Sequence, residues 1–223
     1  MTRVEMPSPN QDDRRGAPID ILVLHYTGMA TAEAALTRLC DPLAKVSAHY
    51  TIDENGTVYV HVPETRRAWH AGQSFWAGVT DVNTRSIGIE LVNPGHALGY
   101  RPFAAAQIAS LKSLCHDILA RHAIPAARVV GHSDVAPARK IDPGELFPWA
   151  EMAHDGIGLW PAPQQSELGA EALARFGYDP SLPAEQTITA FQRHFRADEI
   201  NGRWDAQCAG LLAGLLAQMS AAS

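Results

Sequence analysis

The chain has 223 residues, 46% of them hydrophobic and 19% charged, with a formal net charge of −6. That is room for one full globular domain with a sizeable core and a second, small one. The acidic balance excludes a general nucleic-acid or anionic-membrane binder, and no apolar run approaches the ~20 residues of a membrane helix.

The opening segment, MTRVEMPSPNQDDRRGAP, lacks the apolar stretch of a secretory signal and any early lipid-bearing cysteine. It reads as a flexible arm over residues 1–16. IDILVLH at 19–25 is a buried strand, apolar and partly β-branched. Thr31 caps a helical run, TAEAALTRLC, that stops at Asp41-Pro42. VSAHYTID and TVYVHV flank Glu54-Asn55-Gly56, which signals a β-hairpin. A Trp- and Gly-rich loop spans 63–84, and SIGIELVN is a further strand. Ile108, Leu111, Cys115, Ile118 and Leu119 recur at helical spacing and mark an amphipathic helix over 104–121. Arg128 to Val130 is one more short strand. Strands alternating with helices, but including a hairpin, predict an α/β fold: a mixed central β-sheet flanked by helices.

HDGIGLWPAPQQS at 154–166 reads as an interdomain linker. Beyond it, SELGAEALARFGY, AEQTITAFQRHF and DAQCAGLLAGLLAQM predict a small C-terminal three-helix domain over 161–223, with Phe176, Phe191 and Phe195 as its core. Cys40, Cys115 and Cys208 are odd in number, widely spaced and set in helix-like stretches. They read as reduced, buried side chains, which fits a cytoplasmic location.

The chemistry gathers at strand ends. His25 closes the first strand, and His132 follows Gly131 at the end of another. Asp142 comes ten residues later, brought back by a proline-bearing loop. Two neutral imidazoles and a carboxylate form a zinc set of the hydrolytic kind, with a position left for water. With ten histidines in the chain, a hydrogen-bonded core histidine is the competing reading of each. In Ile87-Gly88-Ile89-Glu90-Leu91, alternation turns Glu90 away from the apolar face. An acid there is costly unless it is paired in a salt bridge or chemically useful. Lys140 lies two residues before Asp142, on the same side if that piece is extended; a solvated surface lysine is the alternative.

Taken together, VLHYT at 23–27, SAHYTID at 47–53, AWHAG at 68–72, SIGIELVN at 86–93 and GHSDVAPARKIDPG at 131–144 resemble the zinc-dependent N-acetylmuramoyl-L-alanine amidases. The resemblance is to the AmpD/AmiD-like branch, whose fold is shared with phage amidase lysozymes and peptidoglycan recognition proteins. It covers residues 17–160 as a catalytic domain. AFQRHF at 190–195 and INGRWD at 200–205 are similar to a three-helix peptidoglycan-binding domain.

The resemblance implies one Zn2+ per chain on His25, His132 and Asp142, with Glu90 as acid/base and Lys140 as electrophile. It implies a substrate cleft around Tyr26, His49, Trp69, His70 and Ala71, with a sugar stacking on Trp69 or Trp76; Trp76 reads equally well as a core anchor. The bond cut would join N-acetylmuramic acid to L-alanine in a muropeptide. The expected substrate is a soluble 1,6-anhydro fragment in cell-wall recycling, with glycan strands as a further partner of the C-terminal domain. A phage-type endolysin acting on intact wall is the alternative. A non-catalytic recognition module is another, but such modules lose a zinc ligand that this chain retains. The tail holds none of these groups, so a chain cut near Pro163 is expected to keep hydrolysing small muropeptides.

Overall fold

Apolar residues at nearly every position make Ile21–Tyr26 a strand buried on both faces, and the architecture follows from covering those two faces. The computed structural model describes residues 2–221. In chain order these form β1 (Arg3–Glu5), β2 (Gln11–Asp13), β3 (Ile21–Tyr26), α1 (Ala32–Cys40), β4 (Tyr50–Ile52) and β5 (Val58–Val60). There follow β6 (Arg66–Ala68), α2 (Val82–Arg85), β7 (Ser86–Leu91), α3 (Gly95–Leu98), α4 (Ala105–Arg121) and β8 (Val129–Gly131). The chain continues through α5 (His132–Val135), α6 (Trp149–His154), α7 (Leu173–Phe176), α8 (Ala184–Phe195) and α9 (Ala206–Ala221).

Six strands build one mixed sheet in the order β1-β5-β4-β7-β3-β8, and β2 pairs with β6 in a separate antiparallel ribbon. Within the large sheet only the β4–β5 hairpin is antiparallel. It turns where the sequence predicts: the Asp53 N–H donates to Thr57 O at 2.9 Å, and Gly56 takes φ +85°, a conformation open to glycine. Thr31 caps α1, its hydroxyl accepting the Ala34 N–H at 3.1 Å.

The first sixteen residues are not a flexible arm. β1 extends the sheet beside β5, β2 pairs with β6, and Arg14 is buried, donating to the carbonyls of Glu64, Thr84 and Ser86. Strands as polar and as short as RVE and QDD carry no apolar alternation to be recognised by; their partners make them regular. The same applies to β6 and α2, which lie inside the stretch expected to be loop. Cys115 and Cys208 are buried free thiols, whereas Cys40 is only half-buried.

Period-two alternation divides the sheet into two faces. Leu22, Leu24, Ile87 and Ile89 share a core with Leu111 and Leu114 of α4 and Met152 of α6. Ile21 and Val23 turn the other way, into a core with Trp76, Val135, Phe176, Phe191, Phe195 and Leu212. The C-terminal helices are therefore the third layer of one sandwich. Phe176, Phe191 and Phe195 are indeed buried, but their core is shared with the sheet. The INGRWD segment serves its own fold. Gln192 Oε1 accepts the N–H groups of Asn201 and Gly202 at 2.9 and 2.8 Å, and Trp204 donates to Leu168 O at 2.8 Å. Among the described residues, no helix is long and apolar enough to cross a membrane.

Glu64 ties the strands to the end of α4. It accepts from Tyr50 Oη at 2.6 Å, Arg121 Nη2 at 2.6 Å and His122 Nε2 at 2.7 Å. Burial alone would raise its carboxyl, but these donors outweigh burial and hold the pKa at about 2, against the ordinary 4.5. A carboxyl depressed in the fold stabilises above its unfolded-state value, and that contribution is lost as pH falls from about 4.5 through about 2. Glu64→Gln is expected to cost about 1–3 kcal/mol at neutral pH, with a melting-temperature deficit that shrinks through this acid window. Equal deficits at neutral and acid pH would show that the ionised carboxylate is not the stabilising species.

Candidate active site

Parallel pairing sets His25 of β3 beside Glu90 of β7. Alternation turns both to the face of Ile21 and Val23, at the end where the strands stop. β8 flanks β3 on its other side and ends at Gly131, so His132 opens α5 one residue past the sheet. The following loop doubles back, with the Ser133 N–H donating to Asp142 O at 2.8 Å, and this returns Asp142 to His132. Gly131 leaves room for the return: a Cβ there would lie 2.8 Å from Pro143 Cδ.

The three side chains converge. His25 Nδ1 is 2.9 Å from His132 Nδ1 and 3.2 Å from Asp142 Oδ2, and His132 Nδ1 is 3.1 Å from the same oxygen. All three residues are buried. Donors about 2.0–2.2 Å from a tetrahedral centre sit about 3.3 Å apart, close to these separations. Ring tautomers point the same way. His132 Nε2 is 3.1 Å from Ala71 O, and a carbonyl only accepts, so Nε2 carries a proton and Nδ1 is the nitrogen left to present a lone pair to a cation. From His25 a chain runs inward: Nε2 lies 3.0 Å from His70 Nδ1, and His70 Nε2 lies 3.1 Å from Ser86 Oγ. Donation from His25 Nε2 along that chain to Ser86 Oγ would leave His25 Nδ1 bare toward the triangle.

Electrostatics agree with this assignment. Burial, followed by the neighbouring His132, lowers His25 to about 4, so the ring is neutral at neutral pH. Burial alone would raise Asp142, but His132 and His25 outweigh it and keep the carboxylate ionised. Two imidazole nitrogens and one carboxylate suit a divalent cation of the zinc type. Glu90 goes the opposite way: burial and then the charge of Asp142 raise it well above the ordinary carboxyl range, with Lys140 opposing. Its Oε2 is shielded from solvent and has no hydrogen-bond partner. Over the triangle opens a cleft of about 370 Å³, lined among others by Tyr26, Trp69, Glu90, Arg139 and Lys140.

Of the side chains expected to meet substrate, Tyr26 and Trp69 line this cleft. His70 borders it, but both its ring nitrogens are engaged behind His25. Gly88 makes that position possible, since a Cβ there would fall 2.4 Å from His70 Cγ. His49 is fully buried and does not reach the cleft; its Nδ1 accepts the Gly88 N–H at 3.0 Å. Ala71 is also fully buried and contributes its carbonyl, not its side chain. Trp76 is a core anchor, wholly buried against Phe176 and Tyr178, with Nε1 donating to Ala127 O at 3.2 Å. The sequence reading missed Asn83, whose Oδ1 accepts the N–H groups of His70 and Ala71 at 3.0 and 2.8 Å. It also missed Arg139, which bridges the carbonyls of Ala71 and Gln73. Arg139 sits inside the motif that supplied Lys140 and Asp142, so it was open to discovery there; Asn83 carries no local signal.

Comparison with solved structures defines the class as cell-wall amidases. The chain superposes on Escherichia coli AmiD, an N-acetylmuramyl-L-alanine amidase solved with anhydro-N-acetylmuramic acid-L-Ala-D-gamma-Glu-L-Lys. The TM-score is 0.80 at 36% identity, covering 94% of this chain and 98% of that one. AMPDH3 from Pseudomonas aeruginosa, in complex with anhydromuramic pentapeptide, matches at a TM-score of 0.79 and 32% identity, covering 90% and 92%. In sequence, Escherichia coli AmiD is 40% identical across 96% of this chain and 90% of its own length. Residues 15–145 match the N-acetylmuramoyl-L-alanine amidase family. The chain belongs to the N-acetylmuramoyl-L-alanine amidase family.

Proposed function

We propose that the chain uses one Zn2+, held by His25 Nδ1, His132 Nδ1 and Asp142 Oδ2, to hydrolyse the bond between 1,6-anhydro-N-acetylmuramic acid and L-alanine. The observation that carries this is the convergence of two imidazole nitrogens and a carboxylate oxygen within 3.2 Å of one another, beside an unpartnered Glu90 oxygen. A zinc ion held by these residues would supply Lewis acidity, able to polarise the amide carbonyl and to acidify water.

The residues do the rest. Glu90 takes a proton from the attacking water and delivers it to the leaving amine of L-alanine, so the C–N bond breaks to a lactyl carboxylate and a free amino terminus. Its raised proton affinity suits both halves of that exchange. Lys140 places a fixed positive charge where the oxyanion develops. Tyr26 and Trp69 offer ring faces to the sugar and the first stem residues. Each histidine ring is held from behind, by Ala71 O for His132 and by His70 for His25.

The anhydro sugar in this reading is supported by the ligands of the two related structures. A soluble recycled fragment is the matching substrate class, and three free thiols fit a reducing compartment such as the cytoplasm. We assign the chemistry to residues 17–160, with residues 161–223 as the helical segment that would meet glycan strands. Cosedimentation of the full chain with sacculi tests that contact.

Metal analysis of purified protein should find about one zinc per chain. Chelation should abolish hydrolysis of an anhydro-muropeptide, and added zinc should restore it. Full activity in metal-free protein would falsify the assignment. Parallel assays on anhydro-muropeptide, reduced muropeptide and intact sacculi separate a recycling enzyme from an endolysin.

A further inference from the structure

Asp134 lies two residues past His132 and is only 1% exposed, yet nothing in the hydrolysis uses it. Its carboxylate accepts from three donors. The Gly131 N–H reaches Oδ2 at 2.7 Å and closes the turn that carries His132. The other two donors come from the C-terminal segment: Tyr178 Oη at 2.7 Å from Oδ1, and His194 Nδ1 at 2.7 Å from Oδ2. A carboxylate only accepts, so His194 Nδ1 carries a proton. Burial, and then Asp134, push the Tyr178 phenol far above its ordinary value, which keeps it a donor.

The clamp is itself rigid. His194 stacks between Trp149 at 3.7 Å and Phe195 at 3.8 Å. Trp149 in turn lies against Gly131, where a Cβ would meet its Cζ2 at 3.3 Å. His132 is thus fixed from two sides: its ring by Ala71 O, and its backbone turn by Asp134. None of Asp134, Tyr178 and His194 lines the cleft.

We propose that Tyr178 and His194 act through Asp134 as positioning residues, by which the C-terminal helices orient His132 for metal binding. The proposal rests on the reading of His132 as a zinc ligand. A ligand held in place before the ion arrives loses less freedom on binding, and partners outside the ligand set typically change metal affinity by 10- to 100-fold.

The test uses the full chain with three variants: Tyr178→Phe, His194→Leu and His194→Asn, the last keeping an N–H near the Nδ1 position. Zinc affinity is read by competition with a chelator of known affinity, and site geometry by the visible spectrum of the cobalt-substituted protein. Tyr178→Phe and His194→Leu should each weaken zinc by about tenfold or more and shift the cobalt spectrum. His194→Asn should restore most of the affinity. Wild-type zinc affinity and an unchanged cobalt spectrum in Tyr178→Phe, whatever its melting temperature, would overturn the proposal. Should His194→Leu fail to fold, Tyr178→Phe and His194→Asn decide alone. A wild-type chain that takes up no zinc would instead overturn the metal reading on which this one stands.

Discussion

Glu90→Gln is expected to lower kcat on an anhydro-muropeptide by ~10²- to 10⁴-fold while zinc content stays at the wild-type level. The carboxamide is nearly isosteric and cannot relay a proton. Oε2 has no hydrogen-bond partner to lose, and removing a carboxyl that burial already disfavours should leave the melting temperature level or slightly higher. His132→Ala is the control: it should lose zinc and activity together. A salt-bridge role for Glu90 would give the opposite pattern, a lower melting temperature with turnover intact in the folded fraction. Near-wild-type kcat in Glu90→Gln would move the proton-transfer step to another group. His49 and His70 are poor substitutes, since one is sealed in the core and the other has both ring nitrogens occupied.

A chain ending at Pro163 is expected to fail to fold, contrary to what the sequence alone suggests. The cut removes Phe176, Phe191, Phe195 and Leu212 and strips cover from Ile21, Val23, Trp76, Val130 and Val135. Exposing five such side chains at about 1.5–3 kcal/mol each gives a loss of about 8–15 kcal/mol, the size of a whole domain's stability. Soluble yield, circular dichroism and thermal melting of the truncated protein are the measurements. A cooperative melt near the wild-type temperature, with muropeptide hydrolysis retained, would show that the third layer is dispensable.

Much of the site was legible because its residues stand at strand ends flanked by recognisable motifs. His25, Glu90, His132 and Asp142 were each singled out by position, and the fold brings them to one corner. Motif membership, however, marks nearness to the site and not the direction of a side chain. His49, His70 and Ala71 all sit in such motifs, yet His49 and Ala71 are sealed in the interior and His70 only borders the cleft, its ring nitrogens engaged behind it. The strands β1, β2 and β6 were illegible because RVE, QDD and RRA are mostly charged or polar, so only their pairing partners define them. The tail shows a different limit: helical periodicity in AEQTITAFQRHF reveals that one face is apolar, but not that the face belongs to the sheet. Asp134 stands in the same motif as His132 and Asp142, but its partners Tyr178 and His194 lie 44 and 60 residues away, where that motif does not reach.

The three-layer sandwich also imposes an order in time. A ribosome delivers β3 with His25 first, His132 follows 107 residues later, and the helices that roof their shared face come after both. Until those helices emerge, the nascent chain carries a sheet with one bare apolar side, a species that invites chaperones and aggregation. Catalytic competence therefore waits for α7 to α9, and a chain terminated before them lacks the apolar cover that its sheet shares with those helices.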